Sequence, residues 1–193
     1  VETVGKAAFA KISYVEAYEG SAIGLMDALF PLVGKRSYPE DIVALTIHRR
    51  QEESSIYLRV PLTLKPEGRR LLSSAWDDEN GGMSLSLLAK CFSYIENEKE
   101  KQGYGLLLLS QFPDSPEMKF IRGELGRVSH LIAQGYLEAG DEDELLELLH
   151  LRIINPGKVL GLVNLAKARG LKNAVQALRD YGARETARKQ GMI

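Results

Sequence analysis

The chain has 193 residues, of which 45% are apolar and 26% charged, and its formal net charge is −1. This length and composition fit one globular domain or two small ones, and they exclude collagen-like, disulfide-rich and wholly disordered chains. The near-neutral charge argues against a protein dedicated to nucleic acid or to a membrane surface, while it leaves room for a local basic patch.

The single cysteine, Cys91, excludes an intramolecular disulfide. Its place on an apolar helical stripe predicts a buried thiol in a reducing compartment. No segment approaches the roughly 20 apolar residues that cross a bilayer, and no basic region followed by an apolar one opens the chain. We therefore expect a cytoplasmic protein that has no membrane partner.

Residues 1–80 predict an N-terminal α+β region. Apolar positions recur every three or four residues from Val4 to Tyr18, which predicts a helix, and a second short helix is expected over residues 23–30. Residues 38–50 are ambiguous, because the spacing of a helix-capping box is followed by alternating, β-branched residues that favour a strand.

Alternation of inward and outward side chains from Ile56 to Leu64 predicts a strand. Pro61 cannot donate a main-chain hydrogen bond, so we expect this strand at the edge of a sheet. One interpretation pairs it with residues 43–47 through a polar connector. The strand would then complete the small β element of the N-terminal region.

The acidic, glycine-rich turn at residues 77–82 predicts the boundary with a helical domain over residues 81–193. Ser84 is expected to cap a helix whose apolar stripe includes Cys91. The charged run over residues 96–101 is interpreted as the solvated end of that helix. Residues 106–109 are an apolar run that periodicity assigns to neither helix nor strand. The predicted fold class is therefore mainly α, with a small β element in the N-terminal α+β part.

Two C-terminal segments, residues 123–135 and 170–182, share one frame. Each opens with glycine, with valine five, leucine eight and glycine twelve positions later. A glycine between two helices permits a tight turn, the valine and leucine pack the second helix, and the closing glycine suits a left-handed C-cap. The frame predicts two repeat-like helical pairs, at about residues 118–140 and 160–185.

The second segment resembles the paired helices of an ankyrin repeat through residues 165–170 before the turn and residues 180–183 at its end. The two segments lie 47 residues apart, a spacing that suits other helical-pair solenoids better than the 33-residue ankyrin period. The resemblance implies a surface that binds another protein and implies no chemistry. The alternative is two ordinary helical hairpins that share a glycine-capped pattern.

These observations predict a non-catalytic protein–protein interaction module, such as an adaptor, a chaperone-like protein, an inhibitor or an immunity-type protein. Its partner would be another protein, bound through polar residues beside the turns, and no cofactor or metal is expected. The candidate partner-binding residues are Arg127, His130, Arg169, Lys172, Asn173 and Arg179.

The charge distribution leaves further alternatives open. Residues 138–147 hold six carboxylates and no base, which predicts the N-terminal turn of a helix. Residues 167–189 are basic and fit either a solvated helix face or a surface for phosphate or an acidic partner. Residues 174–189 also resemble a helix-turn-helix, the basis of the alternative that the chain is a nucleic-acid-binding regulator.

No recognisable phosphate loop, nucleophile elbow or zinc-ligand spacing occurs in the sequence. The three histidines are far apart in sequence, and His150 follows two leucines on an apolar stripe, which predicts a core position for it. An enzyme whose site assembles from dispersed residues remains the second alternative.

Overall fold

The computed structural model describes residues 14–18, 44–48, 55–75 and 83–191. The chain divides into two compact units, one ending at Ile121 and the other beginning at Arg122. The described part is mainly helical with a small sheet near the N-terminus, which confirms the predicted fold class. The turn predicted at residues 77–82 lies outside the described residues, and the helices that flank it, which end at Ser74 and begin at Leu85, pack against each other within the first unit.

The described sheet is three-stranded, with β1 (Tyr14–Tyr18), β2 (Ala44–His48) and β3 (Ser55–Arg59) in that order. β1 runs parallel to β2, and β2 runs antiparallel to β3. The β2–β3 register places Leu45 opposite Leu58. Both side chains are buried, so this face of the hairpin belongs to the core of the first unit.

The N-terminal predictions can be compared with the structure at residues 14–18 and 44–48. The helix predicted from Val4 to Tyr18 is wrong over residues 14–18, because main-chain pairing with β2 makes this stretch a strand despite its helical spacing. The ambiguous segment 38–50 is a strand over residues 44–48. The remainder of segment 38–50 lies outside the described residues. The same is true of residues 1–13 and of the second helix predicted at residues 23–30.

β3 lies at the edge of the sheet that the structure describes and pairs with β2, as predicted, although the strand is shorter than predicted. It ends at Arg59, before Pro61, and the chain then turns until Leu64 forms an isolated bridge with Ile95. The carboxamide of Gln111 bonds both main-chain polar groups of Tyr57, accepting from its N–H and donating to its carbonyl oxygen at 2.7 Å each. A side chain thus satisfies both main-chain polar groups of the middle residue of this strand.

Three helices follow in the first unit: α1 (Pro66–Ser74), α2 (Leu85–Cys91) and α3 (Glu98–Gln111). The hydroxyl oxygen of Ser84 accepts a hydrogen bond from the N–H of Leu87, which confirms the predicted cap of α2. The charged run 96–101 does not end that helix but begins α3, where the side chain of Asn97 caps the first turn. Residues 106–109 are helical.

Four helices follow from the end of the first unit through the second: α4 (Lys119–Ala139), α5 (Glu142–His150), α6 (Pro156–Ala168) and α7 (Lys172–Lys189). Three of them end before a glycine with positive φ: Gly140, Gly170 and Gly191. None of the described helices is both long enough and apolar enough to cross a membrane.

The two glycine-framed segments have different structures. Residues 170–182 contain the predicted turn, with Gly170 at φ 74° between α6 and α7, so residues 160–185 include a helical pair. Residues 118–140 do not form a pair, because Gly123 and Gly135 both lie inside α4. An interior glycine costs a helix only about 1 kcal/mol, which the burial of Leu125 and Leu137 outweighs. Leu131, predicted to pack a second helix, is 56% exposed.

The resemblance of residues 174–189 to a helix-turn-helix does not hold in the structure. α7 continues without interruption through Tyr181 and Gly182, where the turn was expected. An ideal Cβ at Gly182 would lie 3.1 Å from Cγ1 of Val159, so this glycine allows α6 and α7 to approach closely rather than to turn the chain.

Gly68 and Gly103 provide a matched test of packing in the first unit. An ideal Cβ at Gly68 would lie 2.5 Å from Cδ1 of Leu64 and 2.7 Å from Cβ of Tyr94, whereas one at Gly103 meets nothing within 4 Å. We expect Gly68→Ala to lower the free energy of unfolding by about 1–3 kcal/mol. Gly103→Ala should raise it by about 0.5–1 kcal/mol, because alanine favours a helix interior. Urea denaturation followed by circular dichroism measures both, and equal effects would contradict the packing described.

Candidate functional site

The connection between α5 and α6 organises the second unit. Three of its main-chain carbonyl oxygens accept hydrogen bonds from side chains of α4 and α7: those of Leu151 from the Arg122 guanidinium (2.7 Å), Ile153 from the Ser129 hydroxyl (3.1 Å) and Ile154 from the Tyr181 hydroxyl (2.7 Å). Asn155 then caps α6 by accepting from the N–H of Gly157. The connection is therefore held in place from both sides by polar contacts.

Two of these donors lie in the interior of the unit. Ser129 has no exposed surface, and Tyr181 is 7% exposed. Burial is the main cause that raises the pKa of Tyr181 to about 12, and the neighbouring carboxylate of Glu185 adds to it. The phenol therefore stays protonated and donates over the whole neutral range.

The turn between α6 and α7 lies against the start of α5. The Oε2 atom of Glu142 accepts a hydrogen bond from the N–H of Ala174 at 2.7 Å and so caps α7. The guanidinium of Arg169 donates to the carbonyl oxygen of Glu138 at 3.3 Å. Glu142 also begins α5 with Asp143 and Glu144, which confirms the predicted N-terminal turn for this part of the acidic cluster, whereas Glu138 lies in the last turn of α4.

The structure brings together three of the six predicted partner-binding residues. Arg169, Lys172 and Asn173 lie at the α6–α7 turn, and all three are exposed. Arg179 is exposed on α7, about 10 Å further along the helix axis.

The other two predicted residues lie on α4, where Arg127 is exposed and His130 is half-buried. Arg127 pairs with Glu124 at 2.7 Å. It precedes Glu138, the contact of Arg169, by about 16 Å of helix. The six residues therefore do not form one continuous patch.

A groove between α5 and α7 gathers residues that the sequence analysis did not connect. Its volume is about 150 Å³, and it is lined by Leu146, Leu149, His150, Arg152, Ala177, Tyr181, Arg184, Glu185 and Arg188. His150 is exposed here, so its predicted core position is wrong, because the apolar stripe of α5 turns Leu148 and Leu149 inward instead. Arg184 and Arg188 belong to the basic segment noted above, whereas no sequence signal marked Arg152.

The first unit has a separate concavity of about 330 Å³, which is lined by Ser86, Ala89, Lys90, Ser93, Glu117 and Phe120. The Phe120 ring is 55% exposed and meets Phe92 edge-on, with ring centroids 6.2 Å apart. Lys90 and Glu117 are the charged residues of its lining.

Cys91 is buried, as predicted, and its Sγ atom lies 3.5 Å from the carbonyl oxygen of Gly68. Burial raises the pKa of this thiol to about 12, only partly offset by a hydrogen bond with Tyr104. A thiol that stays protonated at neutral pH is a poor nucleophile. Within the described ranges, no three His, Cys, Asp or Glu side chains are placed to hold a metal ion.

Comparison with known proteins does not assign this chain to a family. No protein-family model matches the chain, and no curated protein or solved structure shows a significant match to it.

Ser129 and Ser110 provide a matched pair of serine hydroxyls. Each contacts the carbonyl oxygen three residues earlier, but only Ser129 is buried and also bonds Ile153. We expect Ser129→Ala to destabilise the second unit by about 1–3 kcal/mol, because the Ile153 carbonyl oxygen loses its donor away from water. Ser110→Ala should change stability by less than about 0.5 kcal/mol. Hydrogen exchange of the α1–α7 amides measures each unit separately, and similar effects of the two variants would refute the anchoring role.

Cys91 should be unreactive in the folded chain. At pH 8 we expect no labelling by a thiol-reactive disulfide reagent over a period in which the guanidinium-unfolded chain reacts completely. The unfolded thiol ionises near its ordinary value of 9.0 and the folded one near 12, so stability should fall as pH rises through that interval. Cys91→Ala should make the pH dependence shallower between pH 9 and 10, because tyrosines, whose ordinary pKa is near 10, ionise in both chains and only the thiol is removed. Rapid labelling of the folded chain would contradict this assignment.

Proposed function

We propose that this chain is a non-catalytic protein–protein interaction module that binds its partner through the α6–α7 helical pair. The observation that carries the proposal is the outward side of α6. A row of uncharged residues runs along the middle of this exposed side, from the first turn of the helix to its last. These residues are Gly157, Leu160, Gly161, Asn164 and Ala168. The outward side of a surface helix normally carries charged residues, which here lie only at its margins, as Lys158 and Lys167.

The chemistry of this side of α6 fits a partner helix. Leu160 is 72% exposed, more than Phe120 or Leu131. Gly157 and Gly161, which lie within one turn of Leu160, have no side chain, so another helix can approach the α6 backbone closely. Burying Leu160 there would supply apolar contact that the isolated chain lacks.

The adjoining turn supplies polar groups for the rim of such an interface. Lys172 and Asn173 are exposed next to the end of α6. The turn that carries them is fixed by the Glu142 and Arg169 contacts. Preformed polar groups at a rim bind at a lower entropic cost than mobile ones. Arg127, His130 and Arg179 stay candidates for separate contacts on α4 and α7.

The exposed leucines of α6 and α4 provide the test. We expect Leu160→Glu to weaken partner binding at least tenfold, since a buried leucine contributes about 1.5–3 kcal/mol. Leu131→Glu, at an exposed leucine of α4, should leave binding unchanged. Both variants should keep the wild-type melting temperature, because both side chains face solvent.

The partner is first captured from a lysate of the source cells on the immobilised wild-type chain, then purified and titrated by calorimetry against each variant. Equal loss of binding in the two variants would disprove the assignment to α6. Capture of no protein that depends on Leu160 would contradict the proposed function itself.

A further inference from the structure

The groove between α5 and α7 combines an apolar floor with a cationic rim. Its floor consists of Leu146 and Leu149 from α5 and of Ala177 and the Tyr181 ring from α7. Leu149 and Tyr181 are buried. The floor is therefore preformed by side chains that also pack the core of the second unit.

The rim carries Arg152, Arg184 and Arg188 together with His150, and Glu185 is its single carboxylate. With the histidine neutral, three guanidinium groups against one carboxylate leave a net charge of +2. Glu185 pairs with Arg188 at 3.3 Å. Within the part of the chain that the structure describes, Arg152 and Arg184 have no carboxylate at ion-pair distance.

Arg152 occupies a backbone position that normally suits glycine. It follows the C-terminus of α5 with φ 55°, and it is the only described residue other than glycine with a positive φ. At the ends of α4, α6 and α7 the corresponding residues are Gly140, Gly170 and Gly191. A side chain in this conformation costs about 1–2 kcal/mol. Backbone strain of this kind is concentrated at functional sites, and here it places a cation beside the groove.

We infer that this groove binds an organic anion in which one phosphate or carboxylate group is attached to an apolar body. The guanidinium fork matches the oxygen atoms of either group, and the floor accepts the apolar part. The volume of about 150 Å³ is below that of a site enclosing a drug-sized molecule, so only one such group and its nearest apolar atoms enter. The inference does not depend on the outward side of α6.

The test is titration of the ¹⁵N-labelled full chain by NMR at constant ionic strength. The probes are phenyl phosphate, inorganic phosphate, acetyl-leucine with its free carboxylate, and neutral phenol. We expect saturable shifts of groove amides with phenyl phosphate, and binding about tenfold weaker with inorganic phosphate, which lacks the apolar part. Comparison of phenyl phosphate with acetyl-leucine identifies the preferred oxyanion. Shifts that do not saturate, that spread over both units, or that phenol reproduces would overturn the inference.

Arg152→Gly separates binding from folding. Glycine removes the guanidinium and relieves the positive φ, so the melting temperature should stay equal or rise while affinity for phenyl phosphate falls about tenfold. Arg184→Ala should weaken binding similarly. Lys189→Gln, which removes a cation from the same helix outside the groove, should leave affinity unchanged. Full affinity in Arg152→Gly, or equal losses in all three variants, would refute the site.

Discussion

The second unit depends on the carbonyl oxygens of the α5–α6 connection. A carbonyl group removed from water needs a donor, and a short connection between two helices cannot supply enough donors from its own main chain. Arg122, Ser129 and Tyr181 supply them from two other helices. Because each donor satisfies one fixed oxygen, these contacts set the positions of α4 and α7 relative to the connection and thereby close the unit.

The same connection explains how the groove arises. Tyr181 points its hydroxyl at Ile154 and leaves its ring as part of the groove floor, so one side chain serves both the packing of the unit and the site. Arg152 lies between the anchored residues Leu151 and Ile153, which holds its backbone in the left-handed region. A strained residue persists where its neighbours are fixed, as they are here.

Local signals in the sequence predicted local structure well. Ser84 as a cap and the buried Cys91 depend on residues a few positions apart, and the pairing of β3 with β2 on residues at most 15 positions apart; all three are confirmed. β1 was missed because a strand paired in parallel depends on a partner about thirty residues away. The turn predicted at Gly123 was wrong, because a glycine weakens a helix without ending it.

The candidate sites could not be predicted from the sequence either, because their residues are far apart in the chain and meet only when it folds. The sequence shows that residues 138–147 are acidic, but it could not show that the carboxylate of Glu142 caps α7. Likewise, Arg152 and Arg184 are 32 positions apart in sequence, and only the packing of α5 against α7 brings them to one groove. The acidic and basic side chains therefore differ in role. The carboxylate of Glu142 caps a helix within the unit, whereas Arg152 and Arg184 are exposed to solvent.

A strand whose outer N–H and C=O groups are free acts as a template on which another chain can add a strand and start a polymer. Gln111 occupies both groups at the middle residue of the five-residue strand β3. The stretches on either side of Tyr57 are then too short for a stable intermolecular ladder. A single glutamine amide thus occupies the centre of this edge of the described sheet, where a strand of another chain would have to pair.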